Sequence, residues 1–130
     1  MKKEKLIELS ERLLDLPIEM SRVQFVILEK SRNVEELSNK ISNLESSIKV
    51  NINNKTDDNG KKLYSNADAR DAAFNEIKES NYELNELVEE KTNVSLDIQR
   101  LRVEYDQFSN EQRNVRSLLH FFSDKIETLD

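Results

Sequence analysis

The chain has 130 residues, 36% apolar and 35% charged, with one Gly, one Pro, one His, no Cys and a net charge of −6. Globular chains usually carry ~45–50% apolar residues, and a many-stranded sheet needs turn residues every few positions, so this composition favours long helices over a sandwich, a barrel or a doubly wound fold. It also excludes a disulfide scaffold, a thiolate zinc site, a cysteine nucleophile and most metal or triad chemistry, and the acidic balance argues against bulk affinity for nucleic acid or anionic lipid.

The chain begins with Met1-Lys2-Lys3-Glu4-Lys5 and passes into an amphipathic stretch, not an apolar signal core. No run approaches the ~20 apolar residues of a membrane span. A soluble, cytoplasmic protein without a membrane partner or cofactor is expected. The first predicted element is a helix over about residues 3–50, marked by a heptad repeat. With Leu6 as a, the a positions read Leu6, Leu13, Met20, Ile27, Val34, Ile41, Ile48. The d positions read Leu9, Leu16, Val23, Lys30, Leu37, Leu44, and the pattern stops at Asn51. Such spacing keeps one side of a helix against a partner. Pro17 lies inside this run without disturbing its phase, so a continuous helix is expected through it, although Pro17 could also open a second helix.

Residues 51–65 form the polar, turn-rich connector. Asn59-Gly60 is the dipeptide favoured in two-residue hairpin turns. A hairpin closed there sets Asp58 opposite Lys61 and Asp57 opposite Lys62; the alternative is a plain polar loop. The second predicted helix spans about 66–128, opened by the cap signature Ser65-Asn66-Ala67-Asp68. Its a positions are Ile77, Leu84, Lys91, Ile98, Tyr105, Gln112, Leu119 and Ile126. Its d positions are Ala73, Ser80, Leu87, Val94, Leu101, Phe108, Val115, Phe122 and Leu129.

The flanks choose how the helices pair. In the second helix the g positions are all acidic: Glu76, Glu83, Glu90, Asp97, Glu104 and Glu111. The first helix offers Lys5, Arg12 and Lys40 at g, with Glu19 the acidic exception. Antiparallel packing brings g against g, which predicts an intrachain antiparallel coiled-coil hairpin in one domain, residues 1–130. Its register sets Leu13 opposite Phe108, Met20 opposite Leu101 and Ile27 opposite Val94. It also places Lys30 opposite Lys91, a polar core layer in which each lysine must snorkel outward, with Glu29 and Glu90 near enough in sequence to help neutralise them. The acidic rail can also be read as a mimic of the DNA backbone.

Apolar residues off the seam are Ile7, Leu14 and Leu28 at b, Ile18 and Phe25 at f, Leu118 at g and Phe121 at c. A two-helix hairpin leaves them in water, all at the end where the termini meet. An apolar cluster of this kind marks a contact surface. The expected oligomer interface is therefore Leu14, Ile18, Phe25, Leu28, Leu118 and Phe121, joining two or more hairpins into a helical bundle. The alternative is that the overhanging end of the second helix folds back over the first.

No catalytic constellation is present. Gly60 stands alone, so there is no glycine-rich phosphate loop. His120 reads as a surface or interface residue, and Glu35-Glu36 and Glu89-Glu90, being adjacent, point different ways on a helix. Arg100, Arg102, Arg113 and Arg116 are interspersed with acids and make no continuous basic stripe. The segment Gly60-Lys61-Lys62-Leu63-Tyr64-Ser65-Asn66, followed by Arg70, is similar to a pattern in small helical proteins of Gram-positive phages and prophages, over about residues 57–122. That resemblance implies a regulator or inhibitor of a host defence or recombination enzyme, a recombination accessory, or an assembly scaffold, with no functional residue carried over. Prefoldin-type chaperone subunits share the outline of two long helices joined by a hairpin, but the connector here is too short for their β body. The resulting expectation is a non-catalytic protein-binding module with a protein partner and no metal. A scaffold or chaperone-like factor is the alternative, and a nucleic-acid-associated accessory or DNA mimic a further one.

Overall fold

A 3.5-residue apolar spacing dries one side of a helix, and the computed structural model, which describes residues 3–123, builds the first repeat into a single helix, α1 (Lys3–Asn54). The helix runs through Pro17, whose ring sits on the exposed side. Two further helices follow, α2 (Ala67–Ser80) and α3 (Tyr82–Ser123). Among the described residues there is no strand, only an isolated antiparallel bridge between Thr56 and Lys62. Ile126 and Leu129 lie outside the described residues.

Two boundaries differ from expectation. α1 continues one turn past residue 50, because the seam slips: after Ile48 the next buried residue is Ile52, four positions on, while Asn51 is exposed. The second helix is two. At Asn81 the backbone turns extended (φ −77°, ψ 108°), and the Asn81 side-chain oxygen accepts a bond from Leu84 N–H at 2.8 Å, capping α3. Ser80 Oγ turns back onto the carbonyls of Glu76 and Ile77, and Asn81 N–H closes on the Ile77 carbonyl at 2.8 Å. Ser and Asn side chains compete with the helix ladder in this way and favour caps. α2 opens by the same device, with Asn66 as the N-cap accepting from Ala69 N–H at 2.8 Å, so the cap is Asn66 and not Ser65.

The connector is ordered as a hairpin, in a register one residue from the expected one. Gly60 N–H donates to the Asp57 carbonyl at 3.1 Å and Asp57 N–H to the Lys61 carbonyl at 2.7 Å, with Leu63 N–H on the Lys55 carbonyl at 2.9 Å. Asp57 thus opposes Lys61, and Thr56 opposes Lys62, around a three-residue loop. Such loops combine a type I turn with a left-handed residue, here Gly60 at φ 79°. Asp57 Oδ1 also accepts from Asn59 and Lys61 N–H at 2.9 and 3.0 Å, so the aspartate, not a primed Asn-Gly turn, organises the tip.

The chain forms two compact units, one from residues 1–30 with 97–130 (the terminal unit) and one from 31–96 (the tip unit). In the terminal unit every described a and d position is buried or half-buried, with Leu16, Val23, Ile98 and Val115 deepest. In the tip unit the core gathers Ile48, Ile52, Ala73 and Leu84, with Ile41, Leu44, Tyr64, Phe74 and Ile77 packed against it. The two exposed core positions there, Asn51 and Ser80, are the places where the seam slips and where the helix breaks.

Candidate protein-binding surface

In the terminal unit α1 and α3 are tied by charge beside the seam. The Arg12 guanidinium grips Glu111 with two bonds, Nε to Oε1 at 2.7 Å and Nη2 to Oε2 at 2.8 Å, and its Nη1 reaches Glu19 Oε1 at 3.0 Å. Forked pairing of this kind fixes geometry as well as charge. The bonds from Arg12 hold the Glu111 carboxyl below its ordinary range. The same bonds, first to Glu111 and then to Glu19, hold Arg12 above its own range against the opposing effect of burial. Lys30 Nζ lies 3.4 Å from Asp97 Oδ2, which also meets Arg100 at 3.6 Å through Oδ1. Moving forward along α1 from Arg12 to Lys30 moves backward along α3 from Glu111 to Asp97, the sense of a hairpin.

The acidic rail is therefore used unevenly. Asp97 and Glu111 are half-buried and ion-paired, whereas Glu76, Glu83, Glu90 and Glu104 are exposed. Of the basic g residues, Arg12 faces the rail, Lys5 instead pairs with Glu8 one turn along α1 at 3.4 Å, and Lys40 is exposed. Lys30 and Lys91 are both half-buried, as a snorkelling lysine is. The anion that meets Lys30 is Asp97, and adjacency in sequence to Glu29 did not point to it.

The six residues expected at an oligomer interface are all exposed: Leu14 at 73%, Phe25 and Ile18 at 59%, Phe121 at 56%, and Leu28 and Leu118 close to half. Ile7 belongs with them. Phe121 also packs edge-on against the half-buried Phe122, with ring centroids 5.0 Å apart at 82°. Among the described residues α3 stays helical to Ser123 and the α1 stripe is exposed; the rest of the overhanging end, on which the fold-back alternative turns, lies outside the described residues. Asn59 and Gly60 are exposed at the tip, where a Cβ on Gly60 would meet nothing within 4 Å.

One cluster in the tip unit was missed by the sequence reading. Lys49 Nζ stands 4.8 Å and Lys78 Nζ 5.8 Å from the Phe74 ring centre, and Lys78 also reaches Glu45 at 3.9 Å. The signal was the placing of Phe74 at e, beside the seam, one turn before Lys78. Among the described residues no group of three His, Cys, Asp or Glu side chains converges as metal ligands do, and no helix is long and apolar enough to cross a membrane. No protein-family model matches the chain, and neither the curated proteins nor the solved structures give a significant match.

Proposed function

We propose that this chain is a non-catalytic protein-binding module, an antiparallel coiled-coil hairpin of the kind a phage uses in the host cytoplasm to regulate or inhibit a defence or recombination enzyme. The observation that carries the reading is the apolar stripe of the terminal unit. Leu14, Ile18, Phe25 and Leu28 are at least half exposed on a helix whose own seam is already filled. Contiguous exposed apolar surface is costly in water unless a partner covers it. The forked Arg12–Glu111 pair supports the antiparallel arrangement, because a register that sets Leu13 against Phe108 sets these two g positions side by side.

Affinity capture from host cells, with wild type and Phe25→Asp run in parallel, tests the reading. One stoichiometric enzyme, lost in the variant, supports it. A capsid or tail protein in its place favours the scaffold alternative, and a nuclease-sensitive set of partners favours the nucleic-acid one. A partner retained by Phe25→Asp moves the binding face away from this stripe.

A further inference from the structure

Within residues 3–30 the exposed apolar residues of α1 form a second repeat. Ile7, Leu14, Ile18, Phe25 and Leu28 are separated by seven, four, seven and three residues, so they occupy only the b and f positions. At ~100° per residue their stripe lies roughly 150° around the helix from the a/d seam. A sustained 3.5-residue spacing is what lets a helix hold a second helix along its length.

We propose that the occupant is α1 of a second copy, packed antiparallel along b and f. This rests on the protein-binding reading above and names what covers its apolar face. The flanks of the stripe select both the occupant and its register. The c flank reads Glu8, Asp15, Arg22 and Glu29, and the e flank reads Ser10, Pro17 and Gln24. Antiparallel pairing about a two-fold axis turns each flank onto itself, and every contact occurs twice. Setting Phe25 against Leu14 of the second copy seats Ile18 beside Ser21 of the second copy. It also brings Asp15 onto Arg22 of the second copy at the centre of the interface, twice. Asp15 and Arg22 are exposed, and neither has an ion-pair partner within the described residues of its own chain.

Other arrangements lose this match. Sliding by one heptad puts Asp15 on Asp15, or in the other direction Arg22 on Arg22. Parallel pairing stacks Glu11 on Glu11 inside the stripe and leaves the c flank facing uncharged residues. The favoured register has unfavourable contacts at its outer ends: Leu28 meets Glu11 and Ile7 meets Arg32 of the second copy, and Glu8 lies near Glu29 of the second copy. Glu11, Arg32, Glu8 and Glu29 are all exposed, so long side chains can turn their charged heads to water and repulsion between exposed charges is screened by salt.

Sedimentation equilibrium at micromolar concentration, on the full chain, tests the pairing. Wild type should be dimeric. Asp15→Arg and Arg22→Asp alone should each weaken the dimer about tenfold by turning two attractions into repulsions, with helix content by circular dichroism unchanged. Mixing the two variants should restore wild-type association, because each then meets its complement. A monomeric wild type, or a dimer indifferent to the swaps and to their mixing, overturns the proposal. A monomer that still captures an unlike protein through Phe25 overturns this inference alone. A dimer that obeys the swaps while capturing nothing confirms it and overturns the regulator reading.

Discussion

The terminal unit and the tip unit share α1 and α3 but are built by different means, and α2 belongs to the tip unit alone. The terminal unit keeps a strict heptad and secures it at the flank with Arg12–Glu111 and Lys30–Asp97. Its apolar residues exceed what its own seam can bury. The tip unit departs from the heptad twice, at Asn51 and Ser80, and makes up for it locally with a side-chain cap at Asn81, a cluster of Ile48, Ile52, Ala73 and Leu84, and lysines over Phe74. The exposed apolar residues of α1 in the terminal unit recur along one stripe, whereas those of the tip unit are divided among α1, the connector and α3, at Val50, Leu63, Tyr82, Val88 and Leu96.

The largest expected effects test whether the two cores are energetically equal. Leu16 and Leu84 are each completely buried, one in each unit. Leu16→Ala and Leu84→Ala should each cost ~2–5 kcal/mol in chemical denaturation. Hydrogen exchange should separate them, with Leu16→Ala raising exchange in residues 3–30 and Leu84→Ala in residues 67–96. Identical protection loss throughout the chain would make the division into units irrelevant to stability.

Next in size is the tip. Gly60→Ala has space for its Cβ but must adopt φ 79°, so it should lose ~1–2 kcal/mol from backbone strain alone, read from the melting temperature. Lengthening the loop at Asn59-Gly60 should matter less, about 0.6 kcal/mol per doubling. The break at Asn81 gives a sharper comparison. Asn81→Ala should cost ~1 kcal/mol and Asn81→Gly only a few tenths, the order expected of an N-cap. In an uninterrupted helix alanine would be the better residue by ~1 kcal/mol, so an inverted order would show that α2 and α3 are one helix.

The smallest effect belongs to the charged flank of the terminal unit. Arg12 holds the Glu111 carboxyl below its unfolded value. Its contribution is therefore present above the ordinary glutamate range near pH ~4.3 and is lost as pH falls through the depressed folded value. Glu111→Gln should lower the melting temperature slightly at pH 7, and the gap from wild type should close in acid. A gap that persists below both values would assign the effect to packing.

The apolar seam was legible because periodicity is written in residue type alone. From Leu6 to Ile48 each a or d residue proved buried or half-buried, Lys30 included. The exposed stripe was legible as its complement. What escaped the pattern depended on side-chain bonds. Ser65-Asn66-Ala67-Asp68 and Ser80-Asn81-Tyr82-Glu83 carry the same order of cap residue and acid, yet the second lies inside a run whose heptad phase continues, and periodicity cannot see a break that preserves phase. The tip register was misjudged by one residue because Asp57, through its side chain, outcompeted the turn that Asn59-Gly60 prefers by itself. The partner of Lys30 was missed because helical side chains lean toward the N-terminus of their own helix, which in a hairpin carries Lys30 and Asp97 toward each other.

The Arg12–Glu111 pair joins residues 99 apart in the chain, and this separation orders events during synthesis. Residues 31–96 can form their compact unit as soon as they have left the ribosome, but residues 3–30 share theirs with α3 residues made after position 96. Residues 3–30 are thus made before the segment that shelters them, and they wait with both of their apolar stripes in water. A nascent chain stopped after Leu96 should protect amides in residues 31–96 and leave those of residues 3–30 exchanging freely. In this interval α1 is most open to another newly made copy or to a chaperone, so the rate of translation past residue 96 governs how often it meets one.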